Sequence, residues 1–368
     1  MKSKSRIWVI GGIVLFAAGF FIAARPIPQE TVLVPRWLVS LETGIPSTLT
    51  DSQEVSPEPR SAGNLMPFEL GSRFGYFDRQ GNFSINQHRM ANVSLAPQRW
   101  AEYGPEPDAI TVMGSDGEAL AIIENPRGYP FFIDGRTFLI NSENNAISAV
   151  DDSGAISWTY EFASEITSVD AAAGLLLAGT LDGVLSVVDS GGRQVFSFEP
   201  GGSRYSVIYG CAISHDGSLL AVISGLDEQR FLLLERYGNN DYRVIYHEFL
   251  ESRFTRPVVI AFIEEDRWII FEHHNGLGFY RVGSRQTGHV KINGELSAID
   301  LSGGQGLIFA IVSPHAPENA QELLSISLPG RVIMRAPFKC EEVFLGRAGT
   351  RLFIGGGQSL IAFDLEKR

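Results

Sequence analysis

The chain has 368 residues, 30 Lys and Arg against 42 Asp and Glu, and only two cysteines. Residues 1–36 hold five basic residues and one acidic residue, so the remainder carries 25 basic against 41 acidic, a charge of −16 that repels phosphate backbones and excludes nucleic acid as a partner of the body. Cys211 and Cys340, 129 positions apart and outside any CxxC, exclude a disulfide scaffold and read as small core residues.

The first predicted element is a membrane anchor. Ile7 to Ala24, "IWVIGGIVLFAAGFFIAA", is uncharged and almost wholly apolar, about 27 Å of helix and long enough to span a bilayer. Lys2, Lys4 and Arg6 precede it, and only Arg25 follows closely. By the positive-inside rule the N-terminus is cytoplasmic and the body extracytoplasmic, on a single-pass protein of the inner membrane. A cleaved signal peptide with a site near Ala17 and Gly19 is the competing reading. The anchor is favoured because the apolar run continues past that site and ends in Arg25-Pro26. No cysteine lies near enough for the usual lipobox.

Residues 26–64 read as a Pro-rich extracytoplasmic tether, with prolines at 26, 28, 35, 46, 57 and 59 and a short ordered piece at "TVLVPRWLVSLE". The remaining residues, 65–368, read as one repetitive β domain. "FGYFDRQGNFSI" (74–85), "ITVMGSDGEALAII" (110–123), "AISAVDDSGAISWTYEF" (146–162) and "LSVVDSGGRQVFSFEP" (185–200) each run apolar strand, tight glycine turn, strand. Their turn glycines, Gly81, Gly117, Gly154 and Gly192, are spaced 36, 37 and 38 residues apart. Looser copies occupy 232–249, 277–292 and 323–338. Between them recurs a second pair of strands, as in "CAISHDGSLLAVISG" (211–225), so each period carries four short strands. No stretch beyond the anchor combines helical length with 3.6-residue periodicity. The expected fold is therefore an all-β propeller, whose radial blades protect sheet edges.

These residues carry a family resemblance. "ISHDGSLLAVISG" is similar to the inner strands of WD40-type or TolB-type repeats. "AGTLDGVLSVVDSGGRQVFSF" and "AVDDSGAISWTYEF" resemble quinoprotein (PQQ-like) repeats, in which Asp, Gly and a docking Trp recur; here Trp158 holds the docking position. The last unit, "SLIAFDLEKR", stops after its third strand, so a strand from the N-terminal side is expected to complete it. Taking that strand from 74–86 gives seven blades; eight is the alternative, with "TVLVPRWLVS" closing the ring.

Catalytic quinoproteins, by resemblance, need a calcium site of Glu, Asn and Asp around the quinone and often adjacent cysteines. The cysteines are absent here and the ligand set cannot be assembled, so no cofactor is expected. No GxSxG, HExxH, P-loop or GxGxxG occurs. "FIGGGQS" reads as a blade turn, "IEEDR" as a turn, and His273-His274 as a solvated loop pair.

One constellation remains. In a propeller, loops from an outer strand to the next inner strand share a face with loops joining the two middle strands. Here these are "PGGSRY" (200–205), "GLDEQR" (225–230), "LESRFTRP" (250–257) and "EHHNG" (272–276). They gather Arg204, Tyr205, Arg230, Arg253, Phe254 and Arg256, residue types enriched at binding hot spots, into a candidate partner-binding patch. The expected function is a scaffold for protein partners in the cell envelope, with the membrane contacted through residues 7–24. A propeller lipoprotein of outer-membrane assembly is similar in plan, though this chain has a helix where that one has a lipid. The alternatives are a quinoprotein-like or other enzyme with a central-channel site, and a sensor of a glycan or small ligand.

Overall fold

The structure, a computed structural model, describes residues 31–49, 65–238 and 241–367. The expected anchor at 7–24 and most of the tether lie outside these residues. Among the described residues there is no helix, and so none that is long and apolar enough to cross a membrane.

The described strands form eight antiparallel sheets arranged as the blades of one propeller. Blade one comprises Met66–Leu70, Arg73–Phe77 and Phe83–His88. Blades two to seven are consecutive four-stranded meanders whose inner strands begin at Asn92, Tyr129, Ile166, Ile208, Ile260 and Glu295. Blade eight joins the two ends of the described chain. Its strands Val343–Ala348, Arg351–Gly356 and Ser359–Lys367 are completed by Thr31–Ser40, with Pro46–Thr48 beyond. The closing strand runs antiparallel to the last one, from Thr31 opposite Lys367 to Ser40 opposite Ser359.

Two expectations are corrected. The ring has eight blades rather than seven, because residues 73–88 belong to a blade of their own and Thr31–Ser40 closes the ring. The propeller accordingly starts at Thr31, inside the segment read as tether. Pro35 explains the misreading: it sits where the register shifts between Pro35 and Trp37, a bulge at which proline's missing N–H does little harm to a ladder.

Apolar packing is distributed around the ring. Eight hydrophobic clusters occupy the eight seams between neighbouring blades. Leu177 and Val187 of blade four meet Val222 and Leu232 of blade five, for example, and Trp37 and Phe353 of blade eight meet Phe68 and Phe77 of blade one. The repeated turns tie these seams together. Gly81, Gly117, Gly154 and Gly192 all adopt positive φ, between +80° and +90°, as the spacing of turn glycines implied. At three of the turns an aspartate, Asp78, Asp151 or Asp189, accepts backbone N–H groups two and four residues on. Trp158 of blade three donates its indole N–H to the Ser190 carbonyl in the turn of blade four, at 2.9 Å. Trp37 repeats the contact across the closing seam, donating to the Arg79 carbonyl at 2.9 Å. The sequence reading had identified only the first.

Candidate docking face

Alternation of strands puts the four loops singled out above on one face, across blades four to six. The loop after Gln194–Phe198, the outer strand of blade four, is tied to the middle loop of blade five. The Asp227 carboxylate accepts the backbone N–H of Arg204 at 3.1 Å and the Ser203 hydroxyl, and Leu226 N–H donates to the Tyr205 carbonyl at 3.0 Å. The Ser203 hydroxyl, first among these contacts, holds the Asp227 carboxyl below its ordinary pKa. The Arg204 guanidinium lies 5.3 Å from the centre of the Tyr205 ring, which is 52% exposed. Arg230 lies 5.6 Å from the ring of Phe249, itself 54% exposed.

A second knot forms in the loop from blade five to blade six. The Arg256 guanidinium grips the buried carboxylate of Glu272 through both nitrogens, at 2.7 and 3.1 Å, and lies 4.3 Å from the centre of the Phe254 ring. Phe254 also meets the His274 ring edge to face at 5.8 Å. Buried Gln229 bridges the two knots, its amide donating to the Phe254 carbonyl at 2.5 Å. Arg253 is exposed, and its guanidinium has no partner among the described residues.

The six residues thus share a face but form two clusters, Arg204, Tyr205 and Arg230 in one, Phe254 and Arg256 in the other, with Arg253 beside the second. Their charge is offset only in part: Glu272 neutralises Arg256, whereas Asp227 bonds the Arg204 backbone N–H rather than its guanidinium. The result is an aromatic surface with a local excess of positive charge: among the described residues Arg204, Arg230 and Arg253 make no ion pair, and Arg230 Nε is buried without a hydrogen-bond partner. Sequence reasoning missed Asp227, Gln229, Glu272 and Phe249, whose partners lie one loop or one blade away; "GLDEQR" and "EHHNG" contained three of them.

His273 corrects another expectation. Rather than lying in a solvated pair, it ends the strand Trp268–His273 and is buried, while His274 occupies the exposed turn. The other small motifs are structural. Gly357, with φ +60°, turns between the second and third strands of blade eight. Glu264, Glu265 and Asp266 form a turn in which all three have positive φ.

The central channel has a recess of about 460 Å³ between the inner strands of blades four to six, lined in part by Ser168, Asp170, Cys211, His215 and Asp266. Burial raises the Asp170 pKa, but its carboxylate already accepts Ile213 N–H at 2.8 Å and so fastens blade four to blade five. Burial pushes the Cys211 thiol up to about 12, which leaves it protonated and unreactive at neutral pH. Among the described residues no group of three or more His, Cys, Asp or Glu side chains is placed to hold a metal ion.

This architecture defines a β-propeller with a loop-built face. A family described as beta-propeller protein matches residues 1–368, and the chain belongs to it. An uncharacterized protein of Treponema pallidum (strain Nichols) is 27% identical over 296 residues, which is 80% of this chain and 78% of that protein. Among solved structures, BamB from Moraxella catarrhalis superposes with a TM-score of 0.57 at 13% identity, over 90% of this chain and all of that one. The computationally designed Ika8 protein gives the same TM-score at 12% identity, over 82% of this chain and 93% of that one. At such identities these likenesses describe the fold alone.

Proposed function

We propose that the protein is a membrane-anchored extracytoplasmic scaffold that binds a protein partner of the cell envelope through the face built by Arg204, Tyr205, Arg230, Arg253, Phe254 and Arg256. The observation that carries this reading is the fixing of those loops by side-chain bonds between blades. Asp227, Gln229 and Glu272 hold them in place before any partner arrives, so little conformational entropy remains to be lost on binding. Tyr205 and Phe249 then offer exposed rings beside arginines, a combination found at binding hot spots. The apolar segment 7–24 and its basic flank support attachment to the inner membrane.

The test is crosslinking and co-purification of the full-length protein from its native membranes, with residues 1–30 alone as the anchor control. A stoichiometric partner captured by the full chain, and lost on Arg253→Glu, is the expected result. Capture that is equal for the control, or indifferent to the docking-face variant, overturns the reading and returns weight to a ligand or enzyme in the channel.

A further inference from the structure

Beneath the docking face runs a chain of hydrogen bonds that fixes the protons of two histidines. Asn275 N–H donates to His273 Nδ1 at 3.3 Å. His273 Nε2 lies 3.2 Å from His289 Nδ1, and His289 Nε2 lies 3.0 Å from a Glu248 carboxylate oxygen. The Tyr246 hydroxyl donates to the other oxygen of Glu248 at 3.1 Å. With both rings neutral, one arrangement satisfies these four contacts. His273 carries its hydrogen on Nε2 and donates to His289, which carries its own on Nε2 and donates to Glu248.

An arriving proton breaks that arrangement. Two ring nitrogens are bare, His273 Nδ1 facing the Asn275 N–H and His289 Nδ1 facing His273 Nε2; beside Glu248 the charge belongs on His289, so the proton settles on His289 Nδ1 and meets the hydrogen already on His273 Nε2. The contact survives only if His273 moves its hydrogen to Nδ1, the atom that accepts from Asn275. We infer that His273 and His289 take up a single proton as a unit, and that this proton switches the tautomer of His273 and releases the Asn275 amide.

The surroundings place the charge on His289. Glu248 and Tyr246 face it from the outer strand of blade five, Asp241–Phe249, and no cation among the described residues pairs with Glu248 apart from this histidine. Glu272 on the strand of His273 is taken by Arg256, and the Phe271 ring packs against both imidazoles. The hydrogen bond with Glu248 raises the His289 pKa above its ordinary value. Burial, then the charge of His289, lowers that of His273 to about 4, against an opposing hydrogen bond with the Leu277 backbone.

The consequence reaches the surface because the turn is short. His273 pairs with Gly276, so the turn is His274-Asn275 alone, and it is held to the neighbouring loop by Ser252, whose hydroxyl accepts His274 N–H at 3.2 Å, and by the Phe254 ring. The inference stands on this hydrogen-bond geometry and is independent of what the face binds.

Full-length protein labelled with 15N at its seven histidines tests it, titrated from about pH 8 to about pH 5. Replacements His273→Asn and His289→Gln assign the signals. As His289 becomes charged, the two ring nitrogens of His273 should exchange character, hydrogen-bearing for bare, with the midpoint of His289 and without His273 becoming charged. In His289→Gln, His273 should hold the Nε2–H form throughout. A His273 ring that keeps one tautomer while His289 charges, that charges with its own midpoint in that range, or that switches unchanged in His289→Gln overturns the inference; the wild-type titration decides alone if the variant fails to fold.

Discussion

The guanidinium of Arg36 lies 2.7 Å from the carboxylate of Asp364, joining residues 328 positions apart. Arg351 holds the same carboxylate at 2.6 Å, and Arg36 also reaches Glu366 at 2.6 Å. Burial pulls the Asp364 pKa up, but the bonds from Arg351 and Arg36 outweigh it and hold the carboxyl below its ordinary value. Asp364→Asn should therefore lower stability by about 1–2 kcal/mol, a modest loss because the group is partly solvated. Trp37→Ala, which empties the closing seam, should lose about 3–5 kcal/mol. Denaturant midpoints measure both. Protein starting at residue 30 should fold, whereas protein starting at residue 65 should not; a fully stable ring from the latter would contradict closure by Thr31–Ser40.

The repeated turns make a graded prediction. At Gly192 a Cβ would lie 2.7–2.9 Å from the Trp158 indole, whereas at Gly117 nothing lies within 4 Å, and φ is positive at both. Gly117→Ala should cost about 1–2 kcal/mol of backbone strain. Gly192→Ala should cost distinctly more and should perturb tryptophan fluorescence. Equal losses would mean that the indole does not dock on the turn.

Stability should vary with pH in two opposed ways at blade six. His273, with a folded pKa of about 4, is lowered, so the unfolded chain binds the proton first. Its contribution is complete above the ordinary histidine value near 6.5 and is lost as pH falls toward 4. His289 is raised by Glu248, so its contribution is present below the ordinary value and disappears as pH rises through the folded one. In melting experiments across pH, His273→Asn should flatten the acid limb, and His289→Gln should remove the loss on the alkaline side. Unchanged limbs in both variants would count against these shifts.

On the docking face, stability and binding should separate. Arg253 is exposed and unpaired among the described residues, so Arg253→Glu should leave stability within about 0.5 kcal/mol while weakening partner capture. Arg256→Ala leaves the Glu272 carboxylate buried without its cation and should destabilise the protein by about 3 kcal/mol or more. Thermal melts beside the pull-down distinguish the two effects.

The propeller was legible because its turns demand a conformation that glycine supplies most cheaply, and Gly81, Gly117, Gly154 and Gly192 displayed that demand at a fixed spacing. The closing strand was legible only as the alternative, since Pro35 and its proline-rich neighbours favour a linker until the bulge beside Trp37 is seen. Strand alternation placed the four loops on one face, but the pairing of Arg256 depends on Glu272, 16 residues away along the chain. His273 was misjudged because the strand runs one residue further than the turn signal "HHNG" suggests.

Closure of the ring by its first and last described strands also sets an order of events during synthesis. Thr31–Ser40 leaves the ribosome long before Ser359–Lys367 exists, so its pairing edge and Trp37 must wait while seven other blades are made. An apolar strand with one edge held open for that time invites association with other nascent chains. The protein is thus expected to depend on chaperones that shield extended segments, and truncations at either end of the closing pair should show their defect first as lost soluble yield.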